Sequence, residues 1–306
     1  MPGNSSPGGG KRLKLRPLKL RRPGTVRRPA DPLYLRILFD RNAASYDRVN
    51  PVLSLGRVHL WRHQTVTAAA ISKGGRVLDA FSGPGSLGVL ALGRVGAGGQ
   101  VDFADLSPEM LAEARLRVRK RIAGLERKVR KSRKVIWAKR PGPSGDRWAF
   151  PEVRFLRTDL LAPQAAADRQ PPYDAILFGF GLRYTSDAEA ALRQLRARLR
   201  PGGYLGLLEF TSPAGRSSLP DRLSHTYFYR ILPQIGSRVT GDPELYEYLR
   251  DSSASLFTPA DLVHYALRAG FEVKEIRTAA AGLVTIISAR NRYSPTARAS
   301  SVGTST

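Results

Sequence analysis

The strongest chemical signal in this chain is the run VLDAFSGPGSLG at residues 77–88. An apolar segment delivers Asp79, and Gly83 and Gly85 follow in a turn that opens a helix. Glycines belong where backbone must come close to a ligand, because a Cβ would obstruct the approach and narrow the dihedrals the turn can use. Twenty residues beyond Gly85, a second apolar run ends on Asp105, placed to accept hydrogen bonds from two ribose hydroxyls. The glycine spacing is not G-x-G-x-x-G, and a carboxylate directly before the turn would repel a pyrophosphate. A nucleoside with a cationic end, such as a sulfonium, suits the pattern better than a dinucleotide.

Composition removes other chemistries. The 306 residues contain no cysteine, which excludes disulfides, thiolate metal sites and a cysteine nucleophile. Four histidines occur, His59, His63, His225 and His264, without the tight spacing on a Glu-bearing helix that a zinc hydrolase needs. The longest apolar runs, at 175–182 and 279–289, fall short of the ~20 residues of a membrane-spanning helix. A soluble or peripheral protein is expected, cytoplasmic and able to rest on a membrane surface.

Charge is concentrated. The chain carries 50 Lys+Arg against 25 Asp+Glu. Residues 1–30 hold nine of the basic residues and no acid, and residues 119–147 carry a net +10. The first stretch is broken by Pro and Gly, so it reads as a basic, disordered arm over 1–34. The second begins as a continued helix and becomes a basic loop, an insertion of about 119–150 in the domain that spans 35–290. The Ser/Thr/Ala-rich residues 291–306 read as a flexible tail.

The elements that must position Asp79 and Asp105 alternate. Strands are expected at 76–80, 100–105, 153–159, 173–180 and 203–210. Helices are expected at 86–95, at 108–122 with Ser107 as N-cap, and at 187–199. A helix at 258–270 precedes two strands, 271–277 and 283–289, joined by a short turn. This is the pattern of an α/β, Rossmann-like fold: a mostly parallel, seven-stranded sheet covered on both faces and ending in an antiparallel hairpin.

VLDAFSGPGSLG followed by ADLSPEML (104–111) resembles the first two motifs of class I S-adenosylmethionine-dependent methyltransferases. RNAASYDRVNPVLSLGRVHLW (41–61), YDAILFGFGLRYTSDAEAALRQLRARLRPGGYLGLLEFTSP (173–213), YFYRILPQIG (227–236), LYEYLRDS (245–252) and 257–289 are similar to the ubiquinone/menaquinone biosynthesis C-methyltransferase family. The similarity runs from about Leu38 to Arg290. It implies S-adenosyl-L-methionine as cofactor, with Gly83, Pro84 and Gly85 lining it and Asp105 on its ribose. It further implies that Asp159 and Leu160 flank the adenine, that Gly179 borders the methionine moiety, and that Arg183 is the catalytic arginine. The chain departs from the family at Tyr184 (Asn in the family), at Val58–His59 (His before the signature Trp), at Ser224–His225 (Tyr-Asp) and at 279–281 (Thr-Gly-Gly).

The implied acceptor is a lipophilic quinol, methylated at a ring carbon. Carbon attack needs in-line placement of the reacting atoms and an acceptor hydroxyl that loses its proton. A guanidinium stays charged and cannot take that proton, so Arg183 is assigned to stabilising the phenolate. His225 is the candidate base, and packing is its competing role. The aromatic residues of 219–236 suit either core packing or an isoprenoid tunnel. The basic arm and insertion suit an anionic membrane surface, with nucleic acid an open alternative partner and a homodimer an open assembly. Two further readings stay open: a methyltransferase for another small aromatic metabolite, and one for RNA. GFGLRY (179–184) stands where RNA base methyltransferases often carry an (N/D)PP(Y/F) motif, which disfavours RNA.

Overall fold

The computed structural model describes residues 32–54, 56–131, 139–140, 147–148, 150–162, 172–212 and 257–292, with a few isolated positions between 226 and 245. Two helices come first, α1 (Pro32–Leu53) and α2 (Arg57–Ala68). Then follow β1 (Arg76–Ala80), α3 (Gly88–Val95), β2 (Gln100–Asp105) and α4 (Pro108–Lys131). A two-residue antiparallel pair, β3 (Lys139–Arg140) with β4 (Arg147–Trp148), precedes β5 (Glu152–Arg157) and β6 (Tyr173–Gly179). The chain closes with α5 (Ala188–Ala197), β7 (Leu199–Phe210), α6 (Pro259–Arg268), β8 (Phe271–Ala279) and β9 (Val284–Asn291).

Seven strands form one sheet in the order β5-β2-β1-β6-β7-β9-β8. The first five are parallel, β9 is antiparallel to β7, and β8 is antiparallel to β9. β1 pairs with β2 on one side and β6 on the other. The chain therefore winds away from β1 in one direction and returns on its other flank. The C-terminal tips of β1 and β6 face each other across this switch point, where open α/β sheets bind ligands.

The sheet separates two cores. Leu78, Ile176, Phe178, Leu192, Leu195, Leu262 and Phe271 pack on the face covered by α5 and α6. Val77, Leu177, Leu92, Val95, Phe103, Leu111 and Val118 pack on the face covered by α3 and α4. Alternation along β1 and β6 sends successive side chains to opposite faces, as central parallel strands require. Val58 and Trp61 of α2 join Leu208, Val284 and Ile286 in a third cluster, so α2 is seated on the β7–β9 half, while α1 packs on α4 and α2.

Local chemistry fixes the helix starts. Ser107 Oγ accepts from the Met110 N–H at 2.9 Å, and Asp187 Oδ1 from the Ala190 N–H at 2.9 Å. Thr258 and Asp261 form a reciprocal capping box on α6. Opposite the switch point, the fully buried Asp102 accepts from Arg154 at 2.9 and 2.6 Å, from Tyr173 Oη at 2.7 Å and from Gln100 at 2.7 Å. One carboxylate thereby ties β2, β5 and β6 together at their N-terminal ends.

Boundaries shift from the sequence expectation in three places. Helix α1 starts at Pro32, inside the segment assigned to the arm. Helix α4 runs on to Lys131. Strand β9 extends to Asn291, whose buried side chain donates to the carbonyls of Leu199 and Arg200 at 3.0 and 3.2 Å and accepts from Arg196 at 2.8 Å. The polar composition after Arg290 concealed that anchoring residue. The remainder of the arm and of the tail lies outside the described residues.

The turn after β1 depends on close packing behind it. A Cβ at Gly88 would run into the ring of Phe103 and the Asp79 carboxylate. Gly88→Ala is expected to destabilise the protein by about 1–3 kcal/mol, read as a lower urea midpoint with an unchanged slope. A midpoint equal to wild type would show that the ring yields without cost.

Candidate functional site

β1 ends on Asp79, which is 1% exposed. Its Oδ2 accepts from the Gly88 N–H, at the start of α3, at 2.8 Å. β2 ends on Asp105, whose Oδ2 accepts from the Gly83 N–H at 2.7 Å and whose Oδ1 accepts from the Ser107 N–H at 3.0 Å. The two acids thus hold the glycine turn from both sides. Gly83 has φ +52°, and the space beyond its missing Cβ is open apart from Met110 Sδ at 4.0 Å. Gly85 plays a different part from the one the sequence suggested. It does not line the cavity; a Cβ there would meet Phe103 at 2.9 Å and Ala114 at 3.0 Å, so it lets α3 and α4 close behind the turn. Arg117 of α4 donates to Ser86 Oγ at 2.8 Å and braces the turn from behind.

The strand tips open on a cavity of about 190 Å³. The turns after β1, β2 and β5 contribute Asp79, Ser82, Gly83, Pro84, Asp105 and Asp159 to its lining. Leu35 and Phe39 of α1 and, from the β6 and β7 tips, Phe180, Tyr184 and Leu208 contribute apolar and aromatic surface. Gly179 and Gly181 also line it. Phe81 and Phe180, directly after β1 and β6, hold left-handed backbones with φ +52° and +58°. Such conformations are costly for aromatic residues and cluster at functional sites. Phe81 stacks on Phe178 at 5.0 Å and Phe180 on Phe210 at 4.4 Å.

Most of the residues singled out in the sequence converge here: Asp79, Gly83, Pro84, Asp105, Asp159 and Gly179 all line the cavity. Leu160 does not. It is buried in the core, while Leu161 reaches the cavity wall and donates its N–H to Asp159 Oδ1 at 2.8 Å. An Asx-type turn at Asp159 redirects the chain by one residue, which the acidic-then-apolar pattern alone does not reveal.

Arg183 stands one layer behind the wall. Its Nη2 donates to Tyr184 Oη at 2.7 Å, and the guanidinium lies 4.9 Å from the Tyr184 ring centroid and 5.3 Å from that of Phe210. Beneath it, the fully buried Glu209 accepts from the Leu182 and Phe210 N–H groups, both at 2.9 Å. Tyr184, with Phe39 edge-on at 5.3 Å, is the member of this group that lines the cavity. His225 lies outside the described residues. Leu35, Phe39, Arg62 and Glu209 were not foreseen, whereas Tyr184 was singled out in the sequence only as a departure from the family. Arg62 left a visible trace, since it occupies a position on the buried stripe Val58–Trp61–Thr65–Val66 of α2 where an apolar side chain is expected.

Burial in this pocket pushes three carboxyls upward: Asp79 to about 8, and Asp105 and Glu209 in the same direction. Desolvation is the main cause in each. Backbone N–H donors oppose it, and for Asp79 the neighbouring Asp105 charge adds to it while Arg62 pulls against it. A carboxyl raised on folding contributes stability below its unfolded value, and that contribution is lost as pH climbs through the folded one. The ligand-free protein should therefore lose stability between about pH 4 and about pH 8, and Asp79→Asn should flatten the decline. Urea unfolding at pH 5 and pH 8 measures this; parallel slopes for the two proteins would contradict the assignment.

Comparison with known proteins places the chain. The sequence profile described as the ubiE/COQ5 methyltransferase family matches residues 30–129 and 147–290. The chain is 30% identical over 249 residues to the ubiquinone/menaquinone biosynthesis C-methyltransferase UbiE of Shewanella frigidimarina, covering 81% of this chain and 87% of that protein. It is 33% identical over 227 residues to its Bdellovibrio bacteriovorus counterpart, covering 74% and 81%. Among solved structures, a putative O-methyltransferase from Nostoc punctiforme superposes with TM-score 0.50 at 14% identity, over 82% of this chain and 60% of that one. A chain from the Haloferax volcanii complex of a methyltransferase activator and a putative methyltransferase gives TM-score 0.50 at 14%, over 83% and 98%. The chain is thus a class I S-adenosylmethionine-dependent methyltransferase, and it belongs to the ubiE/COQ5 methyltransferase family.

Proposed function

We propose that this protein transfers the methyl group of S-adenosylmethionine to a ring carbon of a polyprenyl hydroquinone, a demethylmenaquinol or a ubiquinol precursor. The observation that carries the reading is one cavity lined both by three acids and by the aromatic rings of Phe39, Phe180 and Tyr184. The related proteins' names supply the acceptor class. The bound cofactor supplies an electrophilic methyl on a sulfonium; the chain's part is to hold and orient. Asp105 accepts from the ribose hydroxyls, Asp159 and Leu161 border the base, and Asp79 faces the cationic end. Phe39, Phe180 and Tyr184 offer flat apolar surfaces to an aromatic ring.

Carbon methylation needs negative charge on the acceptor's oxygen. Arg183 is the charge source on that side, and Tyr184 is the group through which it reaches the cavity. Burial raises the Tyr184 phenol above its ordinary value, outweighing the opposing Arg183. The phenol therefore stays neutral and is an acceptor toward the guanidinium and a donor to an oxyanion. The buried Glu209 fixes the arginine electrostatically. Proton removal is assigned to His225 or to solvent.

The acceptor class also supports a seat at the bilayer surface. Helix α1 turns Leu35 and Phe39 to the cavity and exposes Leu33 (55%) and Ile37 (48%) on its outer side, directly after the basic arm. No helix among the described residues is long and apolar enough to cross a membrane. Leucines and basic residues interleaved at one end of the chain suit an anionic lipid surface.

Labelled S-adenosylmethionine incubated with demethylmenaquinol, a ubiquinol precursor and RNA is expected to label a quinol and leave RNA unlabelled. Arg183→Ala is expected to lower kcat by about 10²-fold, and Tyr184→Phe to lower it in the same direction; full turnover in Arg183→Ala would remove the charge role. Titration calorimetry at pH 7 in buffers of different ionisation heat should detect a proton released on cofactor binding, because the cationic ligand ionises Asp79. Affinity should rise with pH up to about 8, and Asp79→Asn should release no proton.

A further inference from the structure

Helix α1 contributes Leu35 and Phe39 to the cavity, yet it packs on α4 and α2. Its place beside the strand tips is therefore set by helix contacts and side-chain bonds. Leu35, Phe39 and Asn42 follow one another at i, i+4 and i+7, so the face that reaches the cavity leads to an asparagine that is 2% exposed. A buried carboxamide needs partners. Asn42 Nδ2 donates to the Leu38 carbonyl of its own helix at 2.9 Å and to Asp242 Oδ2 at 2.7 Å. Asp242 lies 200 residues further along the chain, between β7 and α6.

Asp242 divides its two oxygens. Oδ1 accepts from the N–H groups of Glu244 and Leu245 at 3.1 and 3.3 Å, and so shapes its own turn. Oδ2 serves α1, accepting from Arg41 Nη2 at 3.1 Å as well as from Asn42. Arg41 also reaches Glu244 Oε2 at 2.6 Å, but both side chains are half-exposed, where an ion pair contributes little. The bond to the buried Asn42 is the one that counts, because a carboxylate acceptor strengthens it away from water. Burial pushes the Asp242 carboxyl upward, yet Asn42, the Leu245 N–H and Arg41 outweigh it and hold the group below its ordinary value. It is ionised at neutral pH.

The ring that this bond places is Phe39, three residues before Asn42. Phe39 meets Tyr184 edge-on at 5.3 Å, and Tyr184 Oη is held from its other side by Arg183 at 2.7 Å. Two rings thus reach the cavity on separate anchors, one from α1 and one from beyond β6. A flat acceptor is oriented only while both anchors hold, and a displacement of about 1 Å in an orienting group can cost about 10²-fold in rate.

We propose that Asp242 is a positioning residue for methyl transfer: through Asn42 it fixes α1 so that Phe39 orients the acceptor ring beside Tyr184. The proposal rests on the reading of Phe39 and Tyr184 as the acceptor's surface. Asp79 and Asp105 are held by the N–H groups of Gly88, Gly83 and Ser107 and not by α1. Asp242 therefore acts on the acceptor and leaves the cofactor in place.

Asp242→Asn tests this, since the amide can keep Oδ1 on its own turn while its NH₂ opposes the Asn42 and Arg41 donors. Steady-state kinetics with demethylmenaquinol and calorimetric affinities for S-adenosylmethionine are measured for wild type, Asp242→Asn, Phe39→Leu and the double variant. Asp242→Asn is expected to lower kcat/KM for the quinol by about ten- to hundred-fold, with the affinity for S-adenosylmethionine within about threefold of wild type. The double variant should match Phe39→Leu within about twofold, because a residue that acts through Phe39 has nothing left to position. Asn42→Leu breaks the same bond from the helix side and stands in should Asp242→Asn fail to fold. Unchanged quinol kinetics, equal losses for quinol and S-adenosylmethionine, or losses that multiply in the double variant overturn the assignment. A wild type that binds S-adenosylmethionine but methylates no quinol would instead bring down the acceptor reading, and the proposal with it.

Discussion

Everything at the site depends on two acids at adjacent strand tips, the buried Asp79 and the half-buried Asp105, being held by backbone N–H groups. Asp79 takes the N–H of Gly88 and Asp105 takes those of Gly83 and Ser107. These bonds partly offset the desolvation of the acids. They also fix the turn, so that its backbone rather than a side chain borders the cavity at Gly83. Remove the acids and the turn loses its anchors; remove the glycines and Phe103 can no longer lie beneath α3. The recognition surface and the packing are one arrangement.

The parallel sheet explains why the anchors can be so exact in position. β1 and β2 pair in register from Arg76 with Gln100 to Ala80 with Ala104, and both strands are buried along almost their full length. At their far ends, Asp102 draws Arg154, Tyr173 and Gln100 onto one carboxylate. The sheet is therefore clamped at the N-terminal ends and left to present its C-terminal tips, with Phe81 and Phe180 in the left-handed conformations that such a clamp can sustain. The helices before the sheet then supply what the strand tips lack: Phe39 and Leu35 from α1 and Arg62 from α2.

The sheet and its acid-lined end were legible in the sequence because local signals and tertiary demands coincide there. The strand ends, the capping Ser107, the glycine turn and the paired acids each follow from short-range rules. The structure departs from the sequence reading where a side-chain hydrogen bond or a packing contact that composition does not announce decides the placement. Leu160 and Leu161 exchange roles because of one side-chain turn at Asp159. Gly85 looks like a ligand glycine until Phe103 and Ala114 are seen behind it. Asn291 reads as tail until it is found capping the carbonyls of Leu199 and Arg200. Arg183 was identified by resemblance, but only the fold shows it standing behind Tyr184, one of the positions where this chain departs from the family. The candidate His225 falls outside the described residues, so the acceptor side is the less completely built.

Charge is divided in a way that separates two kinds of recognition. The chain carries a formal +25, yet the lining of its cavity holds three acids and one arginine. The excess positive charge sits in residues 1–30 and 119–147, and none of the described residues of those segments lines the cavity. A bulk positive charge acts over about a Debye length and draws the molecule toward an anionic surface. The acids of the cavity act over a few ångströms, in a medium where each charge interacts strongly. The first acts at long range on any anionic surface, and the second only on a ligand that enters the cavity.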